Sequence, residues 1–131
     1  MILDTSAVVA IIRQEPGFER LVRHMAAASV NAIGAPTLAE SAIVLTARFG
    51  ADARGLLATF LRDFDIEVIP FGEDHWQEAL TAFDRFGKGR HPADLNYGDC
   101  LTFATARVAQ QPLLAVGNDF PLTDLSLAAS G

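Results

Sequence analysis

Four carboxylates, Asp4, Glu40, Asp99 and Asp119, lie far apart along the 131-residue chain. Asp4 ends the first predicted strand, Glu40 lies in the first turn of the helix after the second, Asp119 follows the last, and Asp99 begins the helix after a polar loop. Two carboxylates ~4 Å apart repel by ~4 kcal/mol at an effective dielectric of about 20. A gathering of them must either trap a proton, raising a pKa, or enclose a cation. None of the four is cysteine or histidine, and hard oxygen donors select Mg²⁺ or Mn²⁺ over zinc. Such ions bind phosphate oxygens, polarise the phosphorus and generate hydroxide from bound water. Acids gathered in this way point to phosphodiester chemistry.

Each acid also has a structural reading. Thr37-Leu38-Ala39-Glu40 has the form of a capping box. Asp99 follows Asn96 by three residues and suits a helix N-terminus. Asp4 can cap a helix beginning near Ser6, and Asp119 can be a turn residue. What the structural readings do not require is that all four fall at strand ends and helix starts on one side of a sheet.

The elements that must position them follow from apolar spacing. Ile2-Leu3 reads as a short buried strand ending at Asp4, and Ser6 to Arg13 as a helix closed before Pro16. Phe18, Leu21, Val22 and Met25 repeat at helical spacing. Val30 to Ile33 reads as a second strand, and Pro36 opens a helix with Leu38, Ala42 and Leu45 inward and Gly50 as its stop. Leu56, Leu57, Phe60 and Leu61 mark a further helix before the strand 66–70. Trp76, Leu80 and Phe83 share one face of a helix ending near Gly87. A polar loop spans 87–97. Asp99 to Gln110 is helical with Leu101, Ala104 and Val108 inward, and Leu113 to Val116 is a last strand. Apolar strands alternating with helices imply an α/β fold with a parallel sheet covered on both faces. In open parallel sheets ligands bind beyond the carboxyl ends of the strands, where Asp4, Glu40 and Asp119 fall and to which the topology can bring Asp99.

Length predicts one domain over residues 1–131. The lone cysteine, Cys100, excludes an intramolecular disulfide framework and suits a reducing cytoplasm. No stretch approaches the ~20 apolar residues that span a bilayer, and an acid at position 4 is early for a signal peptide. The net charge of −6 runs against nucleic-acid binding, but acids around a metal count as ligands. The only lysine, Lys88, sits in the basic run Lys88-Gly89-Arg90-His91. Cys100 reads as a small buried residue, His24 and His75 as surface residues, Asp94 as a solvated loop acid, and Trp76 and Phe83 as core or dimer contacts.

Ile2-Leu3-Asp4-Thr5-Ser6-Ala7 resembles the opening of a PIN domain, and Ala39-Glu40 is similar to that family's second acid. Leu95-Asn96-Tyr97-Gly98-Asp99-Cys100, preceded by Lys88-Gly89-Arg90-His91-Pro92, resembles the third-acid segment of VapC toxins. Leu113-Leu114 followed by Gly117-Asn118-Asp119-Phe120 resembles the fourth. In order, these segments cover almost the whole chain. The resemblance implies a PIN-like three-layer α/β/α sandwich with a mainly parallel central sheet, a homodimer, and Mg²⁺ or Mn²⁺ dependence. It also implies cytoplasmic endoribonuclease activity on an RNA substrate, held off by a VapB-like antitoxin, with no membrane partner. Asp4, Glu40, Asp99 and Asp119 carry over as the acidic quartet, Asp4 and Asp99 foremost for metal contact. Gly117 stands where many members have a further acid, which leaves Asp124 as a reserve for the fourth position.

Beside the quartet, Thr5 and Ser6 are candidates for hydrogen bonds to a ligating carboxylate or a phosphate. Asn96 is a candidate cap or supporting donor, and Lys88, Arg90 and His91 are candidates for the RNA backbone. Two rival functions remain open at this level. One is a catalytically silent PIN binding module. The other is an aspartate-based phosphotransfer or phosphatase domain, for which Asp4-Thr5-Ser6 lacks the usual second acid.

Overall fold

A computed structural model describes residues 1–128. In chain order the elements are β1 (Ile2–Leu3), α1 (Thr5–Ile12), α2 (Phe18–Ala27), β2 (Asn31–Gly34), α3 (Ala35–Phe49) and α4 (Arg54–Asp63). They continue with β3 (Ile66–Ile69), α5 (Glu73–Phe86), α6 (Tyr97–Ala109), β4 (Leu113–Leu114) and a one-turn 3-10 helix, Phe120–Leu122. The four strands form one parallel sheet in the order β3-β2-β1-β4. Alternate residues leave a strand on opposite faces. Leu3, Ile33 and Leu114 therefore enter a core with α1 to α4, while Ile2, Ala32 and Leu113 enter a second core with α5 and α6. The sheet is thus the middle of three layers, the α/β/α arrangement expected. The chain passes from β1 to β2 and β3 on one side, then returns to β4 on the other, so the strand order reverses at β1. A crevice opens beyond the carboxyl ends of the strands at such a reversal, and Asp4 is the residue that follows β1.

Several helix faces differ from the sequence expectation. On α3 the fully buried positions are Thr37, Ser41 and Leu45, with Leu38 and Ala42 only partly covered. Gly34, not Thr37, caps that helix, so the expected Thr37–Glu40 capping box is absent and both side chains are released for other contacts. On α5 the small Ala82 and Ala79 allow close packing against α6, with Phe86 beside them. The bulkier neighbours turn outward: Trp76 is 51%, Leu80 54% and Phe83 37% exposed, so Trp76 and Phe83 are not core residues. On α6 Ala104 is buried as expected, but Val108 is exposed, and Cys100, Thr102, Phe103 and Thr105 share the interior.

His24 and His75 are half-buried rather than fully on the surface. His75 folds back so that its Nδ1 accepts the Gly72 N–H at 3.0 Å, which caps α5, and its ring packs on Phe71. Asp94 is exposed, and it closes the 87–96 loop by accepting the Gly89 N–H at 3.3 Å.

Candidate active site

Asp4 is the best-buried of the four acids, at 6% exposure. It caps α1, and one of its oxygens, Oδ2, accepts both the Ser6 N–H at 3.0 Å and the Ser6 hydroxyl at 2.6 Å. The Ser6 oxygen in turn accepts the Val116 N–H at 2.9 Å. A single hydroxyl therefore ties the first acid to the segment that leaves β4 toward Asp119. Thr5 serves the next acid: its hydroxyl donates to Glu40 Oε1 at 2.5 Å. Adjacent hydroxyls at the start of α1 thus hold two different carboxylates, from β1 and from α3.

Asp99 is placed by a reciprocal cap. Its N–H donates to Asn96 Oδ1 at 2.9 Å, and its Oδ2 accepts the Asn96 N–H at 3.1 Å. Asn96 is therefore the N-cap of α6, and Asp99 sits in that helix's first turn. Asp119 is exposed, at the head of the 3-10 helix, and makes no side-chain cap there.

The four acids act on one another. Burial raises the Asp99 carboxyl, the Asn96 N–H pulls it back, and the charges of Asp4, Asp119 and Glu40 push it up again, to about 6 in all. Each other member of the quartet is thus felt at Asp99. Asp124 plays no such part. Its carboxylate lies between Arg85 (3.0 Å) and Arg107 (2.5 Å). Partial burial works to raise it, but hydrogen bonds and charge from the two arginines prevail and hold it below the ordinary carboxylate range. The reserve acid is therefore spent on anchoring the C-terminal segment to α5 and α6.

Among the described residues, no three His, Cys, Asp or Glu side chains form a ready-made cation cage. The quartet stands within electrostatic reach, and Asp4, Glu40 and Asp99 are each held by hydroxyl or amide donors of their own. Its donor chemistry still fits Mg²⁺ or Mn²⁺, being oxygen throughout. Cys100 adds no soft ligand: burial and the neighbouring Asp99 charge push its thiol up to about 11, so it stays protonated.

Lys88 is exposed and lines one groove with Asn96 and Tyr97, and Tyr97 continues into a second groove lined by Gly98 and Glu40. The basic loop and the acids are thus joined through Tyr97, which is 80% exposed. Arg90 lays its guanidinium over the Phe83 ring, and His91 accepts the Ala93 N–H through Nδ1 at 3.0 Å. Two features escaped the sequence reading. One is the set of buried hydroxyls of Thr37, Ser41 and Thr102, whose residue types blend into any amphipathic helix. The other is Gly98, where an added methyl would collide with the Glu40 carboxylate.

The PIN domain family model matches residues 1–125. The chain is 50% identical over 126 residues to Ribonuclease VapC36 of Mycobacterium tuberculosis, an overlap covering 95% of this chain and 91% of that protein. It is 40% identical over 126 residues to Ribonuclease VapC of Mycolicibacterium smegmatis, covering 96% and 98% respectively. Among solved structures, Mycobacterium tuberculosis VapC20, a toxin that cleaves the sarcin–ricin loop, superposes with a TM-score of 0.75 at 20% identity over 95% of each chain. A toxin–antitoxin complex from Klebsiella pneumoniae has a TM-score of 0.67 at 18% identity, over 91% of this chain and 88% of that one. These two likenesses are of fold.

Proposed function

The chain belongs to the PIN-domain family, and from that premise we propose that it is a VapC-type endoribonuclease whose Asp4, Glu40, Asp99 and Asp119 hold Mg²⁺ or Mn²⁺. The observation that carries this reading is the convergence on Asp99, whose carboxyl reaches about 6 under burial and the charges of the other three. A half-buried acid crowded in this way by three others at a strand-order reversal is costly to keep ionised, and a cation relieves the cost.

When bound, such an ion supplies Lewis acidity toward phosphate and a more acidic water. The chain's own residues do the rest. Asp4 and Asp99 are the foremost donors, Ser6 and Thr5 fix the Asp4 and Glu40 carboxylates, and Glu40 or Asp99 orients the attacking water for in-line displacement. Lys88 and Arg90 offset phosphate charge that an acidic protein would otherwise repel. Because Asp4 is buried and its Oδ2 already accepts two bonds, it is poorly placed as a phosphoryl-accepting nucleophile, which disfavours the phosphotransfer reading.

The biological setting in this reading is a toxin–antitoxin pair: a cytoplasmic ribonuclease, homodimeric, neutralised by a VapB-like antitoxin. The pairing is supported by the relatives' names and by the fold shared with a toxin–antitoxin complex. The exposed Ile43, Leu80 and Tyr97 leave apolar surface for a partner chain. No helix among the described residues is long and apolar enough to cross a membrane.

The test is cleavage of total cellular RNA by purified protein with Mg²⁺, Mn²⁺ or EDTA, beside an Asp99→Asn variant. Metal-dependent cleavage that disappears in the variant is the expected result. Absence of both cleavage and metal binding in the unaltered protein would replace the nuclease by a silent binding module.

A further inference from the structure

Thr37 and Thr102 are 3% and 0% exposed, and their hydroxyl oxygens lie 3.0 Å apart across α3 and α6. We infer that this buried hydroxyl bridge is a positioning pair that sets the gap between α3 and α6, and with it the spacing of Glu40 and Asp99 for a shared cation. The inference rests on the proposed function, in which those two carboxylates serve one cation.

Placement comes first. Thr37 precedes Glu40 by three residues on α3, and Thr102 follows Asp99 by three on α6. Residues three apart are neighbours on a helix surface, so the bridge lies one turn from each acid. The other interhelical hydroxyl contact beside these acids, Ser41 to Thr5 at 3.5 Å, joins α3 to α1 and does not span the gap to α6.

Hydroxyl behaviour in the same two helices supplies a contrast. A Thr or Ser inside a helix commonly bonds back to the carbonyl one turn earlier. Ser41 does so, donating to the Thr37 carbonyl at 2.8 Å, and Thr105 does so to the Leu101 carbonyl at 3.0 Å. Thr37 and Thr102 instead reach across to each other. Valines at both positions would fill the space without a polar group to satisfy, and a buried hydroxyl is tolerated only when partnered. Core packing alone gives no reason for the pair.

The bridge is also connected to the acid it would steer. The Thr37 carbonyl, which accepts from Ser41, lies 3.4 Å from the Thr5 hydroxyl, and that hydroxyl donates to Glu40. Glycines flank the crossing on both sides. A methyl at Gly98 would strike Glu40, and one at Gly34 would come within 2.7 Å of Thr105 Oγ1. Glycines let the helices approach, while the hydroxyl bridge fixes where they stop.

The test is Mn²⁺ binding to the full chain by isothermal titration calorimetry, with Thr102→Val, Thr102→Ser, Thr105→Val and the double variant Thr37→Val/Thr102→Val. Thr102→Val is expected to weaken Mn²⁺ binding on the order of tenfold, as other supporting contacts around metal ligands do, and Thr102→Ser to restore it. Thr105→Val deletes an equally buried hydroxyl from the same helix and is expected to bind Mn²⁺ as the unaltered protein does. The double variant leaves no orphaned hydroxyl, so it is expected to fold even if the single one does not, yet still to bind weakly. Unaltered affinity in Thr102→Val or the double variant would overturn the inference, as would equal weakening by Thr105→Val. An unaltered protein that binds no Mn²⁺ would overturn it too, by removing the premise, which the calorimetry reports separately from the variants.

Discussion

Neutralising Asp99 is expected to stabilise the metal-free protein, although the residue caps a helix. Its carboxyl is raised from an ordinary 3.8 to about 6 by burial and by Asp4, Asp119 and Glu40, net of the Asn96 N–H that favours the charged form. At face value that is about 3 kcal/mol against the ionised state. The side chain is only half-buried, so solvent screening reduces it to on the order of 1–2 kcal/mol. The sign follows from proton linkage. Between pH ~4 and ~6 the folded chain binds more protons at this site than the unfolded one, so stability falls as pH rises through that window. Asp99→Asn removes the repulsion and keeps an amide oxygen to accept the Asn96 N–H. In EDTA at pH 7.5 its Tm should exceed that of the unaltered protein by roughly 4–8 °C for a chain of this size. The gap should fall by about half near pH 5 and close near pH 4. Saturating Mn²⁺ should raise the unaltered protein's Tm and leave the variant's nearly unmoved. A variant no more stable than its parent at pH 7.5 in EDTA, with the same dependence on pH, would refute the claim that these acids crowd one another.

Other perturbations separate the site from its surroundings. Gly98→Ala should cut metal-dependent cleavage at least tenfold while far-UV circular dichroism stays unchanged, because its methyl displaces the Glu40 carboxylate. Replacing Lys88 and Arg90 by glutamine should weaken binding to single-stranded RNA and reduce the slope of log K against log salt by up to about 1.4, or ~0.7 for each phosphate no longer neutralised; an unchanged slope would place the loop outside the interface. Asp124→Asn should cost at most about 1 kcal/mol, since its arginine pairs are half-exposed, and should leave Mn²⁺ affinity intact by calorimetry. Asp124 is held below its ordinary range, so its contribution is present above the unfolded carboxyl value and fades as pH falls through the folded one.

Much of this architecture was legible because its cause is local. Ile2-Leu3, the helical spacing of Phe18 to Met25, and the Gly50 stop each declare themselves within a few residues. The caps at Asp4 and Asn96 depend on side chains reaching only two or three positions along the chain. What stayed hidden depends on contacts between elements distant in sequence. Trp76, Leu80 and Phe83 share a helical face, but periodicity does not reveal whether that face or the adjacent one bearing Ala79 and Ala82 meets α6. The small residues won because they permit closer approach of the two helices. Likewise the sequence suggests a capping box at Thr37 and Glu40, and only the fold reveals that Thr37 lies inside α3 and bonds Thr102.

The same distinction governs the acids. Asp119 and Asp124 are five residues apart in one short segment, and composition treats them alike. The fold separates them electrically: Asp119 raises the proton affinity of Asp99, while Asp124 is neutralised by Arg85 and Arg107. Pairing the second acid with arginines lowers its energy where it stands, while the first, without that compensation, adds its charge to the surroundings of Asp99. Hydroxyls treat Asp4 and Glu40 in an intermediate way. Ser6 and Thr5 orient each carboxylate without cancelling its charge, as a guanidinium would. A chain with net charge −6 thus concentrates part of its negative charge where Asp4, Glu40 and Asp119 act on Asp99, while the charge of Asp124 is balanced where it stands.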